Sequence, residues 1–266
     1  MPVVAPVGHP LRVDGVGEVL TLDEEAPLAG IELTIVLGGD GTILGAAELT
    51  RGSSAPLLGI NHGHVGFLAE SERDDLEWTV SQALAGDYDV DERLVLDVVV
   101  KDGEKELFRT FAINEATIEK ASRARMIEVA LEIDGRPISA FGADGVVMAT
   151  PTGSTAYSFS AGGPVVWPGV EALLMVPLSA HALFARPLVV GPGSVMAVEL
   201  LERSAAPAVL WCDGRRGVDI QPGSRVMASR SDQPIRLARL HPGPFTDRLV
   251  QKFALPVTGW RGPSEK

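Results

Sequence analysis

An apolar run at 31–37 is followed at once by Gly38-Gly39-Asp40-Gly41-Thr42, and then by Ile43-Leu44-Gly45-Ala46-Ala47-Glu48-Leu49. The first run is β-branched and bounded by glycine, which predicts a buried strand; the last predicts the first turns of a helix. A strand-to-helix turn of this kind is where the backbone of an α/β sheet can close on a phosphate. Glycine has no Cβ to hold an anion away from the N–H groups, and the helix N-terminus adds a partial positive charge. An acidic side chain in the middle of such a turn needs a reason of its own. Asp40 can cap the helix, hold a metal or take a proton, and the turn alone does not choose among these.

The pattern recurs. Pro56-Leu57-Leu58-Gly59-Ile60 reads as a second, parallel strand, and Asn61-His62-Gly63-His64-Val65-Gly66-Phe67-Leu68 as a second glycine-rich loop at its end. Loops at the ends of neighbouring strands face each other across the crevice where open α/β sheets bind ligands. His62 and His64 invite a metal, but in a loop with no cysteine nearby a turn and a hydrogen bond are the better reading. Residues 72–85 carry Leu76, Val80, Ala83 and Leu84 at helical spacing, with Gly86 placed to end the helix.

From residue 94 the character changes. Short apolar runs at 94–100, 107–113, 126–133, 137–141 and 146–149 predict strands, with Asp102-Gly103 and Asp134-Gly135 as hairpin turns. Further strands are expected at 173–176, 188–190, 195–201, 208–212, 218–220, 225–229 and 235–240, and a helix at 246–253. The expected fold is an α/β N-terminal nucleotide-binding domain, residues 1–93 with 244–266, plus an all-β, sandwich-like second domain over 94–243. The formal net charge of −12 disfavours nucleic acid and anionic membranes as partners. One cysteine, Cys212, fits a reducing cytoplasm, and no run approaches the ~20 apolar residues of a membrane span.

The most unusual stretch runs from Asp144 to Pro164. It is dense in hydroxyls and glycines and nearly uncharged, which suits a pocket for a polar, partly aromatic ligand or a buried turn of small residues. No G-x-S-x-G elbow is present, which argues against a serine hydrolase. Taken in order, Gly38-Gly39-Asp40-Gly41-Thr42, Leu58-Gly59-Ile60-Asn61, Gly66-Phe67-Leu68, Asn114-Glu115, Asp144-Gly145, Thr150-Pro151-Thr152-Gly153-Ser154-Thr155-Ala156-Tyr157-Ser158 and Ser160-Ala161-Gly162-Gly163-Pro164 resemble the motif set of NAD kinases. Leu255-Pro256-Val257-Thr258-Gly259-Trp260-Arg261-Gly262 is similar to the ending of the actinobacterial branch.

The resemblance implies phosphoryl transfer from ATP, with Mg²⁺ or another divalent cation, to the 2′-hydroxyl of the adenosine ribose of NAD. It implies Asp40 as general base, and Gly38, Gly39, Gly41 and Thr42 on the ATP side. Toward NAD it implies Asp40, Gly41, Phe67, Asn114, Glu115, Arg125, Asp144, Thr155, Ala156, Tyr157, Ser158 and Ser160, with no metal-ligating protein residue. It also implies a homodimer or homotetramer. The family pattern has a further strand-helix-strand before the Gly-Gly-Asp-Gly strand, so the segment before Ile31 is expected to be shortened. Gly45, Gly142 and Arg215 stand where the pattern often has a basic residue, a basic residue and a glutamine, and His64 where arginine is common. A lipid kinase sharing the Gly-Gly-Asp-Gly turn, or a non-catalytic NAD-binding protein, are the alternatives.

Overall fold

The computed structural model describes residues 3–5, 19–21, 30–61, 66–72, 76–240 and 243–257, with the backbone alone at 3–5, 19–21, 71, 72 and 76. His62 and His64 lie outside the described residues. The chain forms two units, residues 1–91 with 236–266, and residues 92–235.

The first unit begins with a parallel pair, β1 (Val3–Ala5) and β2 (Val19–Thr21). Then follow β3 (Thr34–Leu37), α1 (Asp40–Leu49), β4 (Leu57–Asn61), β5 (Ser71–Glu72), α2 (Leu76–Ala85) and β6 (Asp89–Arg93). β3 and β4 pair in parallel, Ile35 opposite Leu58, as a strand-helix-strand unit requires. Every residue of β4 is buried, the signature of a strand covered on both faces. α1 buries Ile43, Leu44 and Ala47. α2 departs from the expected face. Thr79 and Ala83, one helical turn apart, are buried, while Leu84 is exposed, because the helix turns the 79/83 stripe inward.

The second unit holds β7 (Leu96–Asp102), β8 (Lys105–Ala112), β9 (Glu115–Lys120), β10 (Ile127–Ile133), β11 (Arg136–Ala143), β12 (Gly145–Ala149), the four-residue helix α3 (Tyr157–Ser160), β13 (Leu173–Leu178), β14 (Leu188–Val190), β15 (Met196–Leu200), β16 (Ala208–Cys212), β17 (Arg216–Ile220) and β18 (Ser224–Arg230). They form two antiparallel six-stranded sheets, ordered β11-β10-β15-β18-β7-β8 and β14-β13-β12-β9-β16-β17. One core joins them: Val98, Ile127, Val129 and Val198 from the first sheet pack with Ile118, Met148, Met175 and Leu210 from the second. Alternate residues along each strand supply it, which is how a period-2 pattern makes a sandwich. Asp134 and Gly135 have φ of 53° and 72°, the paired positive angles of the expected hairpin turn.

The chain then re-enters the first unit. β19 (Ile235–Arg239) takes the position between β4 and β6 in the order β3-β4-β19-β6, and α4 (Phe245–Phe253) follows. Leu58, Ile60, Ala83 and Ala238 form that unit's core. Among the described residues no helix is long and apolar enough to cross a membrane.

Candidate active site

The Gly-Gly-Asp-Gly turn forms where β3 ends and α1 begins. Gly39 is the N-cap, Asp40 is the first helical residue, and no side chain caps the helix, so the capping reading of Asp40 does not hold. The N–H groups of Thr42 and Ile43 are bound to the Gly39 carbonyl. A Cβ placed on Gly39 or Gly41 would meet no atom within 4 Å. Packing therefore does not require glycine at these two positions. They leave open space around Asp40, as a turn that admits a ligand would.

The Asp40 carboxylate reaches instead to the second glycine loop. Oδ2 accepts the N–H of Phe67 and Oδ1 that of Leu68, each at 3.0 Å. The approach is so close that a Cβ on Gly66 would overlap Oδ1, which explains a glycine there. This loop is in turn gripped from the other side. The Leu68 carbonyl accepts Arg239 Nη1 at 3.1 Å and the Ala69 carbonyl accepts Arg248 Nη1 at 2.6 Å. Glu70, its side chain 1% exposed, pairs with both guanidinium groups at 2.8 and 2.6 Å. Phe67 is buried, with its ring 5.6 Å from Phe245 and 6.1 Å from Phe253 of α4. Its contribution to Asp40 is through its backbone.

In the second unit, Asn114 and Glu115 lie at the step from β8 into β9. Thr150 ties them to the hydroxyl-rich stretch: its N–H donates to the Asn114 carbonyl and its hydroxyl to the Ile113 carbonyl at 2.6 Å. Gly153 lies against the same peptide, where a Cβ would overlap the Asn114 carbonyl. Residues 152–155 make one tight helical turn, and α3 follows it. Ala161 and Val166 then pack on Val147, Ala149, Leu174 and Val176, the other face of the second sheet. Several hydroxyls of the stretch serve the turn itself. Ser154 Oγ donates to the Pro151 carbonyl at 2.6 Å and accepts the Val166 N–H, and Thr155 Oγ1 donates to the Thr152 carbonyl at 3.2 Å.

In this part of the second unit the buried Glu115 Oε2 and Ser158 Oγ have no hydrogen-bond partner among the described residues. Glu115 is 7% exposed. Burial, and the negative charge of Asp213, push its carboxyl up to about 8, against the pull of the Tyr157 N–H. Below that pH it presents a proton rather than a charge. Tyr157 is exposed, its phenol raised by partial burial and by Glu119. Asp144 pairs with Lys120 at 2.5 Å. Ala156 is half-buried between the two short helices, Ser160 is exposed at the end of α3, and Arg125 is exposed in the turn between β9 and β10. Burial and Asp213 push the Cys212 thiol up to about 12, so it stays protonated and is no nucleophile. Among the described residues no group of three or more His, Cys, Asp or Glu is placed to hold a metal ion.

Asp213 and Arg216 are absent from the sequence-based site. The signal was present: Asp213-Gly214 repeats the hairpin pattern of Asp134-Gly135, and both residues have positive φ, 53° and 63°. Nothing in the spacing indicates that the Asp213 side chain turns back a hundred residues to the Ile113 N–H.

Comparison with known proteins places the chain among phosphotransferases that act on nucleotides. Residues 20–88 match the ATP-NAD kinase N-terminal domain and residues 113–240 the ATP-NAD kinase C-terminal domain. The chain is 69% identical over 245 residues to an NAD kinase of Leifsonia xyli, covering 92% of this chain and 81% of that protein. It is 63% identical to an NAD kinase of Thermobifida fusca, covering 88% and 73%. The fold is similar to that of yeast NADH kinase complexed with NADH, with a TM-score of 0.82 at 25% identity, covering 90% of this chain and 71% of that one. It is also similar to an Archaeoglobus fulgidus NAD kinase in complex with ATP, with a TM-score of 0.73 at 27% identity, covering 90% of each chain. The chain belongs to the NAD kinase family.

Proposed function

We propose that the chain transfers the γ-phosphoryl group of ATP to the 2′-hydroxyl of the adenosine ribose of NAD, giving NADP and ADP, with Asp40 as the general base. The observation that carries this is the Asp40 carboxylate itself. It is clamped by two N–H donors, left half-exposed, and flanked by glycines whose side-chain space is empty. A sugar hydroxyl is a weak nucleophile. A carboxylate within hydrogen-bond reach takes its proton as the new O–P bond forms and the bond to the β-phosphate oxygen breaks, and ADP leaves with that electron pair. The held geometry keeps the accepting lone pair aimed, so little reorganisation is needed at the moment of reaction.

Gly38, Gly39, Gly41 and Thr42 are assigned to the triphosphate, whose charge suits the α1 N-terminus. The divalent cation is assigned to ATP, as MgATP, held chiefly by phosphate and water. On the dinucleotide side, Asn114 and Glu115 are assigned to the ribose and nicotinamide half. Asp144, Thr155, Ala156, Tyr157, Ser158 and Ser160 are assigned to the pocket walls, with Phe67 at a base and Arg125 near a phosphate. The unpartnered Glu115 Oε2 and Ser158 Oγ support this, because buried polar atoms without partners are costly unless a ligand satisfies them. The sheets' edge strands β8, β11, β14 and β17 support assembly into a homodimer or homotetramer. We place the protein in the cytoplasm, which the single buried thiol of Cys212 supports.

The test is NADP formation from NAD and MgATP, read by a coupled NADP-specific dehydrogenase. Asp40→Asn should cut turnover by on the order of 10²–10⁴ with NAD affinity nearly intact. Unchanged turnover would remove Asp40 from the base role. NAD binding without any NADP formation by the wild-type chain would leave a non-catalytic NAD-binding protein.

A further inference from the structure

Asp213 is nearly sealed from solvent, its side chain 1% exposed, yet none of its acceptor capacity is idle. Oδ1 accepts the N–H of Asn114 at 2.7 Å and of Ile113 at 3.0 Å, with Glu115 at 3.4 Å. Oδ2 accepts the Ile113 N–H at 3.0 Å and Arg216 Nη2 at 2.6 Å. Three successive backbone donors therefore converge on one carboxylate. The Asp213 N–H returns a hydrogen bond to the Glu115 carbonyl at 2.9 Å. Arg216 extends the grip to the preceding residues. Its Nη1 donates to the Phe111 carbonyl at 2.9 Å and to Thr110 Oγ1 at 3.2 Å, and its guanidinium lies 3.9 Å from the centre of the Phe111 ring. The backbone leading into and through Asn114–Glu115 is thus fixed by one ion pair on the β16–β17 hairpin, its carboxylate buried.

This arrangement has a direction. Both Asp213 oxygens are already taken by backbone N–H groups and Arg216, which leaves no acceptor position for a ligand. What it holds is the segment from which Glu115 Oε2 points, buried and without a partner. We propose that Asp213, locked by Arg216, is a positioning residue for dinucleotide recognition: it sets the Asn114–Glu115 backbone so that the Glu115 carboxyl meets a hydroxyl or amide of the bound NAD. This rests on the reading of Asn114 and Glu115 as NAD ligands. The pair acts on binding of the dinucleotide and leaves the ATP side untouched.

The experiment uses the full chain and measures NAD affinity by calorimetry, the KM values for NAD and for ATP, and the melting temperature. Asp213→Asn puts an amide N–H₂ where an acceptor faced the Ile113 N–H and Arg216. It should weaken NAD binding about tenfold or more, with the KM for ATP within about twofold of wild type. Arg216→Gln should move the same quantity in the same direction, and Arg216→Lys, which keeps the charge but loses the fork, should recover part of it. A lower melting temperature with unchanged NAD affinity in these variants would overturn the proposal and leave a purely structural pair. If Asp213→Asn does not fold, the two Arg216 variants decide by the same split. Asn114→Ala and Glu115→Gln separate the two levels. If they leave NAD affinity unchanged, the ligand reading falls and the proposal with it. If they weaken it while the Asp213 and Arg216 variants do not, only the positioning role falls.

Discussion

Asp40 and Asp213 use the same chemistry in opposite senses. Each is a carboxylate that accepts consecutive backbone N–H groups from a distant part of the chain, residues 67 and 68 for Asp40 and residues 113–115 for Asp213. Asp40 sits half-exposed at the start of a helix, and the loop positions the carboxylate. Asp213 is sealed and paired to Arg216, and the carboxylate positions the loop. Donors alone therefore do not tell whether an acidic residue does chemistry. Solvent access and the presence of a fixed cation do, because a buried anion must be neutralised in place while a reactive one must keep a lone pair open.

The contrast can be broken most severely at Gly66. Gly66→Ala drives a methyl group into Asp40 Oδ1, and displacement of a catalytic group by an ångström costs about 10²-fold in rate. We expect kcat to fall by about that factor with NAD affinity little changed; full activity would mean the carboxylate need not sit where the loop holds it. A smaller effect, on stability, is expected at the clamp behind the loop. Arg239→Gln strips one of the two guanidinium groups from buried Glu70, which keeps Arg248, and the one paired with Asp91, and should destabilise the protein by about 2 kcal/mol in urea unfolding. Arg109→Gln, which breaks only exposed pairs with Asp97 and Glu106, is the control and should leave the unfolding midpoint where it was.

A probe that needs no substitution is pH. Glu115 titrates at about 8 in the folded chain against an ordinary 4.5. Below pH 4.5 both states carry the proton, and above 8 neither does. Between these limits the unfolded chain releases it first, so stability falls as pH rises, by up to about 1.4 kcal/mol per pH unit from this group. Glu115→Gln should flatten that slope between pH 5 and 8. A slope identical to wild type would show that Glu115 is already ionised in the fold.

Much of this was legible in the sequence, and the omissions have physical causes. The apolar strands, the Asp-Gly hairpins and the strand-turn-helix at Asp40 are local signals, and they appear where local rules put them. β9, at the interior of its sheet, escaped because Glu115-Ala-Thr-Ile-Glu-Lys120 has charged ends and no turn signal beside it. Its identity as a strand comes from its neighbours β12 and β16. β6, Asp-Val-Asp-Glu-Arg, has acidic residues that disfavour strands, and its place beside β19 in the sheet overrides them. At the site, residue types were readable but partners were not. The spacing could not show that Asp40 reaches the N–H groups of residues 67 and 68, or that the Thr155 hydroxyl serves its own turn.

The place of β19 has a further consequence, for the order in which the molecule can be made. The loop that holds Asp40 leaves the ribosome early. The arginines that grip it follow 171 residues after Leu68 and 179 after Ala69. Between them the whole of the second unit, with its own closed core, is synthesised and free to fold. A nascent chain can therefore carry the whole sandwich while the loop that donates to Asp40 still awaits the arginines behind it.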